Sequence, residues 1–126
     1  MTDYPFSGTW NMVHDNWVGV LVIAVSDKTV TQSQPPCVYT SQRVNGTYTP
    51  ASGGPPLVVS GHIAGRDPYQ RGHTCPQSDH RIAFTVAFPG APPQPFIGYF
   101  FTQAGPPQMA GLTWWEGIPF GWFASQ

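Results

Sequence analysis

One segment of the chain constrains its fold more than any other, because it is apolar on both of the faces that a strand presents. Residues 17–26 read WVGVLVIAVS, which is rich in β-branched residues and lacks the 3.6-residue period of an amphipathic helix. Residues 96–101, FIGYFF, have the same character. An open sheet of such strands leaves apolar faces and unpaired edges in water. The sequence therefore predicts a closed barrel, with a two-layer sandwich as the alternative.

Strand and turn signals alternate at short intervals along the rest of the chain. Residues 80–88 alternate strictly between large apolar side chains and polar or small ones, as a half-buried strand does. The turn signals are Asp15-Asn16, Asp27-Lys28, Pro35-Pro36, Asn45-Gly46, Glu116-Gly117 and several Pro- and Gly-rich stretches. Asn45-Gly46 is the strongest hairpin signal, because both residues tolerate a positive φ. The pattern predicts one all-β domain over residues 1–126, an eight-stranded antiparallel up-and-down barrel.

Composition excludes several classes of function. Charged residues make up 9% of the chain, the net charge is −1 and the five basic residues are scattered, so we expect no nucleic-acid-binding face. No run of 18 apolar residues predicts a membrane span. The chain does not begin with a basic and apolar leader, which predicts a cytoplasmic protein, or a secreted one if a leader was removed. The low charge favours self-association, and we expect a homo-oligomer.

The first strand begins with Ser7-Gly8-Thr9-Trp10, which resembles the start of avidin-type and lipocalin-type barrels. In those barrels a Gly-x-Trp places the indole across the closed end. The chain is also similar to the avidin group in length and strand number, and its last hairpin, residues 110–121, looks like a recurrent ending of small microbial β proteins. The resemblance implies a barrel with an interior ligand site. It does not imply biotin, because Met12 stands where avidin-like proteins offer a small amide.

Aromatic and histidine side chains are the candidate ligand contacts. Trp114 and Trp115 are adjacent in one strand, so one indole enters the barrel and the other points outwards. An indole walls an apolar cavity or stacks on a sugar ring. His14 stands where a strand meets a turn, and His62 lies in mid-strand, facing either the lumen or the outside. The predicted ligand-binding residues are Trp10, His14, Tyr48, His62, Tyr99, Trp115 and Trp122.

These residues favour a binding module for a small apolar or sugar-like molecule, including a lectin-like version. One alternative is a barrel enzyme of the cyclase or isomerase type, with His14 and Asp15 as acid and base. Another is a structural oligomer with a filled core. We predict no cofactor and no metal site, because the His, Cys and Asp residues within 67–80 match no zinc spacing. Cys37 and Cys75 are either free thiols or a loop-to-loop disulfide.

Overall fold

The computed structural model describes residues 6–34, 37–63, 80–101 and 106–126. Eight antiparallel strands form a closed barrel in which each strand pairs with its neighbours in the chain and the last pairs with the first. The strands are β1 (Gly8–His14), β2 (Trp17–Gln34), β3 (Cys37–Pro50), β4 (Leu57–Ile63), β5 (Arg81–Val86), β6 (Gln94–Phe101), β7 (Gln108–Trp115) and β8 (Ile118–Ser125). The predicted eight-stranded up-and-down barrel is confirmed. Within the described ranges no helix is long and apolar enough to cross a membrane.

The two tightest turns lie at one end of the barrel and use residues that suit their geometry. Asp15 and Asn16 connect β1 to β2 with φ angles of 44° and 68°. Glu116 and Gly117 connect β7 to β8 with φ angles of 51° and 79°. Two successive positive φ angles characterise the type I′ hairpin, whose twist matches that of its strands. Both of these predicted turns are confirmed.

Two other predicted turns are wrong, because the strands run through them. Residues 27–28 lie within β2 at a shift in its register with β3, and Asn45-Gly46 lies in the middle of β3. A Cβ on Gly46 would overlap the carbonyl oxygen of Val22 on the adjacent strand. Close approach of two strands, and not a turn, therefore explains this glycine.

The core is a cluster of aromatic and aliphatic side chains that alternate strand positions direct into the barrel. Phe84 and Phe96 stack with their ring centroids 5.0 Å apart, and Trp122 meets both rings edge-on. The Trp122 Nε1 donates to the carbonyl oxygens of Ile97, at 3.2 Å, and Leu112, at 3.1 Å. The buried indole is thus hydrogen-bonded, and this aromatic cluster fills the middle of the barrel.

The outer wall of the barrel has an apolar side and a polar side. Strands β2, β6, β7 and β8 carry exposed apolar side chains, namely Val18, Val20, Val22, Tyr99, Phe101, Leu112 and Phe123. Most outward positions of the described parts of β3, β4 and β5 are polar. The homo-oligomer that we expect from the low charge stays a prediction, which light scattering coupled to gel filtration would measure.

Candidate ligand site at the mouth of the barrel

A cavity of about 400 Å³ opens at the end of the barrel where the turns 15–16 and 116–117 lie. In an up-and-down barrel every second connection lies at the same end, so the connections β3–β4 and β5–β6 also reach this mouth. The aromatic lining residues are Trp17, Tyr48, Phe88, Trp115 and Phe120. The volume lies within the range of about 300–1,000 Å³ that is typical of small-molecule sites.

His14, which lines this cavity, has a buried ring nitrogen, Nε2, without a hydrogen-bond partner in the described part of the chain. Its side chain is only 6% exposed, and the rings of Tyr48, Phe88 and Phe96 lie around it with centroids 5.7, 5.8 and 5.4 Å away. The buried Nε2 makes no hydrogen bond within the described part of the chain. A buried polar atom in this condition costs about 1–3 kcal/mol. A ligand that hydrogen-bonds to Nε2 would remove that cost.

The surroundings of His14 keep its imidazole neutral at pH 7. Burial lowers the pKa of His14 below the ordinary value of 6.5, and the neighbouring Asp15 carboxylate opposes this effect only in part. The neutral ring has one donor and one acceptor nitrogen, so Nε2 donates or accepts according to the tautomer. Burial also raises the pKa of Tyr48 above its ordinary value of 10.0, which keeps the phenol protonated at neutral pH.

Local sequence features hold the cavity wall in place. Gly19 leaves room for the ring of Tyr48, which a Cβ at that position would overlap. The side chain of Gln94 is anchored below the mouth, because its Nε2 donates to Thr113 Oγ1 at 2.8 Å. The Thr113 hydroxyl in turn donates to the carbonyl oxygen of Pro95 at 2.7 Å. The Gln94 amide nitrogen is therefore engaged, whereas the His14 Nε2 is not.

The structure brings three of the predicted ligand residues together in the cavity: His14, Tyr48 and Trp115. Trp115 takes the inward strand parity and its neighbour Trp114 takes the outward one, a choice that the sequence left open. Asp15, the predicted partner of His14 in acid–base chemistry, also lines the cavity. The mouth thus brings three of the seven predicted ligand-binding residues together with Asp15, the acid–base partner in the enzyme prediction.

The other four predicted residues lie elsewhere. Trp10 and Trp122 point inwards but belong to the packed core and do not line the cavity. Tyr99 lies on the outer wall, which corrects the prediction that it contacts an interior ligand. His62, for which the sequence left both faces open, lies on the outer wall as well. Their positions have the outward parity of β6 and β4, whose buried residues are the alternate ones.

Sequence reasoning missed four of the residues that build the mouth: Trp17, Phe88, Gln94 and Phe120. A signal for them existed, since His14 pairs directly with Trp17 across the first hairpin. All four lie beside connections that share one end of an up-and-down barrel. Grouping the aromatic residues by that rule would have identified Trp17, Phe88 and Phe120, but not Gln94.

Some predictions fall outside the described residues. These are the long polar segment 66–79, the part of the 67–80 group before His80, and Cys75. The side chain of Cys37 is likewise outside them, so the state of the two thiols stays open. Among the residues that the structure describes, no three His, Cys, Asp or Glu side chains are grouped to hold a metal ion.

Comparison with known proteins adds no relative. No protein-family model matches the chain, and neither the curated proteins nor the solved structures gave a significant match. The closed barrel is compatible with the avidin-type architecture, but membership of that family is not shown. The mouth cavity itself is therefore the basis for assigning a function to this chain.

Proposed function

We propose that this protein binds a small, neutral, largely apolar molecule in the mouth cavity, with one hydroxyl group of the ligand hydrogen-bonded to His14 Nε2. The observation that carries this proposal is the buried Nε2, which has no partner in the described part of the chain, on a side chain that lines a cavity open to the outside. A hydroxyl group suits either tautomer of His14, because it both donates and accepts. Five aromatic lining residues provide a surface for a flat, apolar ligand. The avidin resemblance contributes only the architecture.

The polar groups of the cavity favour such a ligand over a free sugar, the other class that the sequence predicts. A sugar ring presents many hydroxyl groups, each of which needs a partner when it leaves water. The polar lining side chains are His14, Asp15, Tyr48, Ser52 and Gln94, and the amide nitrogen of Gln94 is already engaged. His14 Nε2 is the buried polar atom of this lining without a partner in the described chain, and it matches one hydroxyl on an apolar body.

The test compares two probes that have nearly the same shape, 2-naphthol and 2-methylnaphthalene, by equilibrium dialysis. We expect 2-naphthol to bind about tenfold more tightly, since only its hydroxyl group satisfies Nε2. His14→Phe keeps an aromatic ring in place and removes the nitrogen, so both probes should then bind equally. Equal affinities for the wild-type protein would contradict the role of His14. Binding of glucose with neither aromatic probe bound would support the sugar alternative instead.

A second candidate function is proton transfer, which one further observation favours. The neutral imidazole of His14 and the carboxylate of Asp15 lie in one cavity, and the carboxylate stabilises the imidazolium that forms when His14 accepts a proton. The probe reaction is deuterium exchange at the carbon next to the carbonyl of 2-tetralone, followed by mass spectrometry in D₂O. Exchange that His14→Gln abolishes supports catalysis. Exchange equal in both proteins assigns His14 to binding alone.

A further inference from the structure

A second concave surface, of about 510 Å³, lies on the outside of the barrel across β3, β4, β5 and β6. The cross-strand register arranges its outward residues in two adjacent rows. One row is Arg43, His62, Ala83 and Ile97, and the other is Asn45, Ser60, Thr85 and Pro95. We call this surface the outer groove. It shares no lining residue with the mouth cavity.

A glycine allows the wall to be concave here. Gly61 lies between Ser60 and His62 on β4, and a Cβ on it would overlap the carbonyl oxygen of Ala83. Strands β4 and β5 therefore approach each other more closely than a side chain at this position permits. The core rings of Phe84 and Phe96 also border the groove.

The chemistry of the outer groove changes from one side to the other. Arg43 and His62 are direct cross-strand partners, which places their Cβ atoms roughly 4.5–5.5 Å apart. The amide of Asn45 is beside them on the same strand. Pro95 and Ile97 form an apolar surface on β6, at the opposite side. No acidic side chain is among the described residues that line the groove.

Electrostatics supports the proximity of the Arg43 guanidinium and the His62 imidazole. Burial lowers the pKa of His62, and the guanidinium of Arg43 lowers it further. Among the described residues that line the groove, Arg43 on β3 is the charged group that faces His62, since the lining residues of β5 and β6 carry no ionisable side chain. An anion placed between Arg43 and His62 would reverse the effect of the guanidinium.

We propose that the outer groove binds a small organic oxyanion, with its charged oxygens between Arg43 and His62 and its apolar part on Pro95 and Ile97. The guanidinium fork matches the two oxygens of a carboxylate or phosphate group. The mouth cavity, which contains the Asp15 carboxylate, and this groove, which contains the Arg43 guanidinium, thus select different ligands, and the groove does not depend on the function proposed for the mouth.

The experiment follows the backbone amides of Ser60, His62 and Thr85 by ¹H–¹⁵N NMR. Acetate, benzoate and inorganic phosphate are added in turn, with sodium chloride holding the ionic strength constant. We expect saturable shifts, and benzoate to bind at least about threefold more tightly than acetate because its ring covers apolar surface. Arg43→Gln should weaken benzoate binding about tenfold, and Arg43→Lys by less. Thr47→Ala, an exposed change on β3 outside the groove, should leave it unaltered.

Three results would overturn the proposal. Shifts that rise linearly without saturation mean that no site exists. Shifts that persist unchanged in Arg43→Gln mean that the site lies elsewhere. Binding of phosphate with no binding of benzoate rules out the organic ligand and its apolar contact. Arg43 is exposed, so its replacement leaves the barrel core intact and these results interpretable.

Discussion

Trp10 and His14 lie on the same inward face of β1, towards opposite ends of the barrel, and they differ in whether a ring nitrogen is hydrogen-bonded within the described chain. At one end Trp10 Nε1 donates to the carbonyl oxygen of Phe6 at 3.0 Å. The ring of Phe100 packs edge-on against the side-chain rings of both Trp10 and Phe6. At the other end His14 follows on the same inward face, beside a cavity, and its Nε2 has no partner in the described chain. The first end is packed for stability. The second retains an energetic cost that a bound ligand would remove.

The largest effect that separates the two ends is expected from Trp10→Ala. Trp10 is fully buried, and its loss leaves a cavity and removes a hydrogen bond. We expect the free energy of unfolding to fall by about 3–5 kcal/mol. Urea denaturation measures this, with the exposed neighbour Thr9→Ala as the matched control. A loss of about 1 kcal/mol or less would show that packing around Trp10 contributes little to the free energy of unfolding.

Trp115→Ala should affect binding and leave stability almost unchanged. Trp115 is 42% exposed and lines the mouth cavity. We expect the affinity for 2-naphthol to fall at least about tenfold, while the free energy of unfolding stays within about 0.5 kcal/mol. Trp114→Ala is the control, because it removes the same side chain from the opposite face of β7. Equal losses of affinity in the two variants would exclude the mouth as the site.

His14→Phe should stabilise the protein, an unusual result for a change at a buried position. The new ring keeps the contacts with Tyr48, Phe88 and Phe96 and removes the unpartnered nitrogen. We expect the free energy of unfolding to rise by about 1 kcal/mol, at the expense of the preference for 2-naphthol. Urea denaturation compares the variant with the wild type. Destabilisation would mean that the Nε2 has a partner and that the two ends do not differ as described.

Acidification should lower the free energy of unfolding through protonation of His14, by less than the substitutions above change it. Because the pKa of His14 is lower in the folded protein than in the unfolded chain, the unfolded chain binds a proton first as the pH falls below about 6.5. The free energy of unfolding therefore decreases from that pH down to the folded pKa and then levels off. His62 has the same sign and adds to it. His14→Phe should reduce the slope below about pH 6.5; an unchanged slope would assign the pH dependence to other groups.

The barrel could be predicted from the sequence because several strands are apolar on both faces. Closure buries one of those faces and leaves no unpaired strand edge. The sequence predicts a turn at Asn45-Gly46 where the strand continues, since a glycine that permits a close strand approach has the same sequence signature as a hairpin glycine. His14, Tyr48 and Trp115 were identified from residue type and position. Tyr99 was assigned to the wrong side because residues 96–101 are apolar on both faces, and the sequence left open which way His62 faces. The absence of a described hydrogen-bond partner at His14 Nε2 depends on which side chains pack around it in the folded barrel, and no pattern in the sequence encodes that packing.

The most direct test of the account is the ¹⁵N resonance of His14 Nε2, observed in protein labelled at its histidine rings. We predict that saturating 2-naphthol shifts this resonance, as a new hydrogen bond requires, while 2-methylnaphthalene binds more weakly and leaves it in place. A His14 Nε2 that is unmoved by bound 2-naphthol, or that moves equally with both probes, would contradict the claim that this atom is the polar anchor of the site.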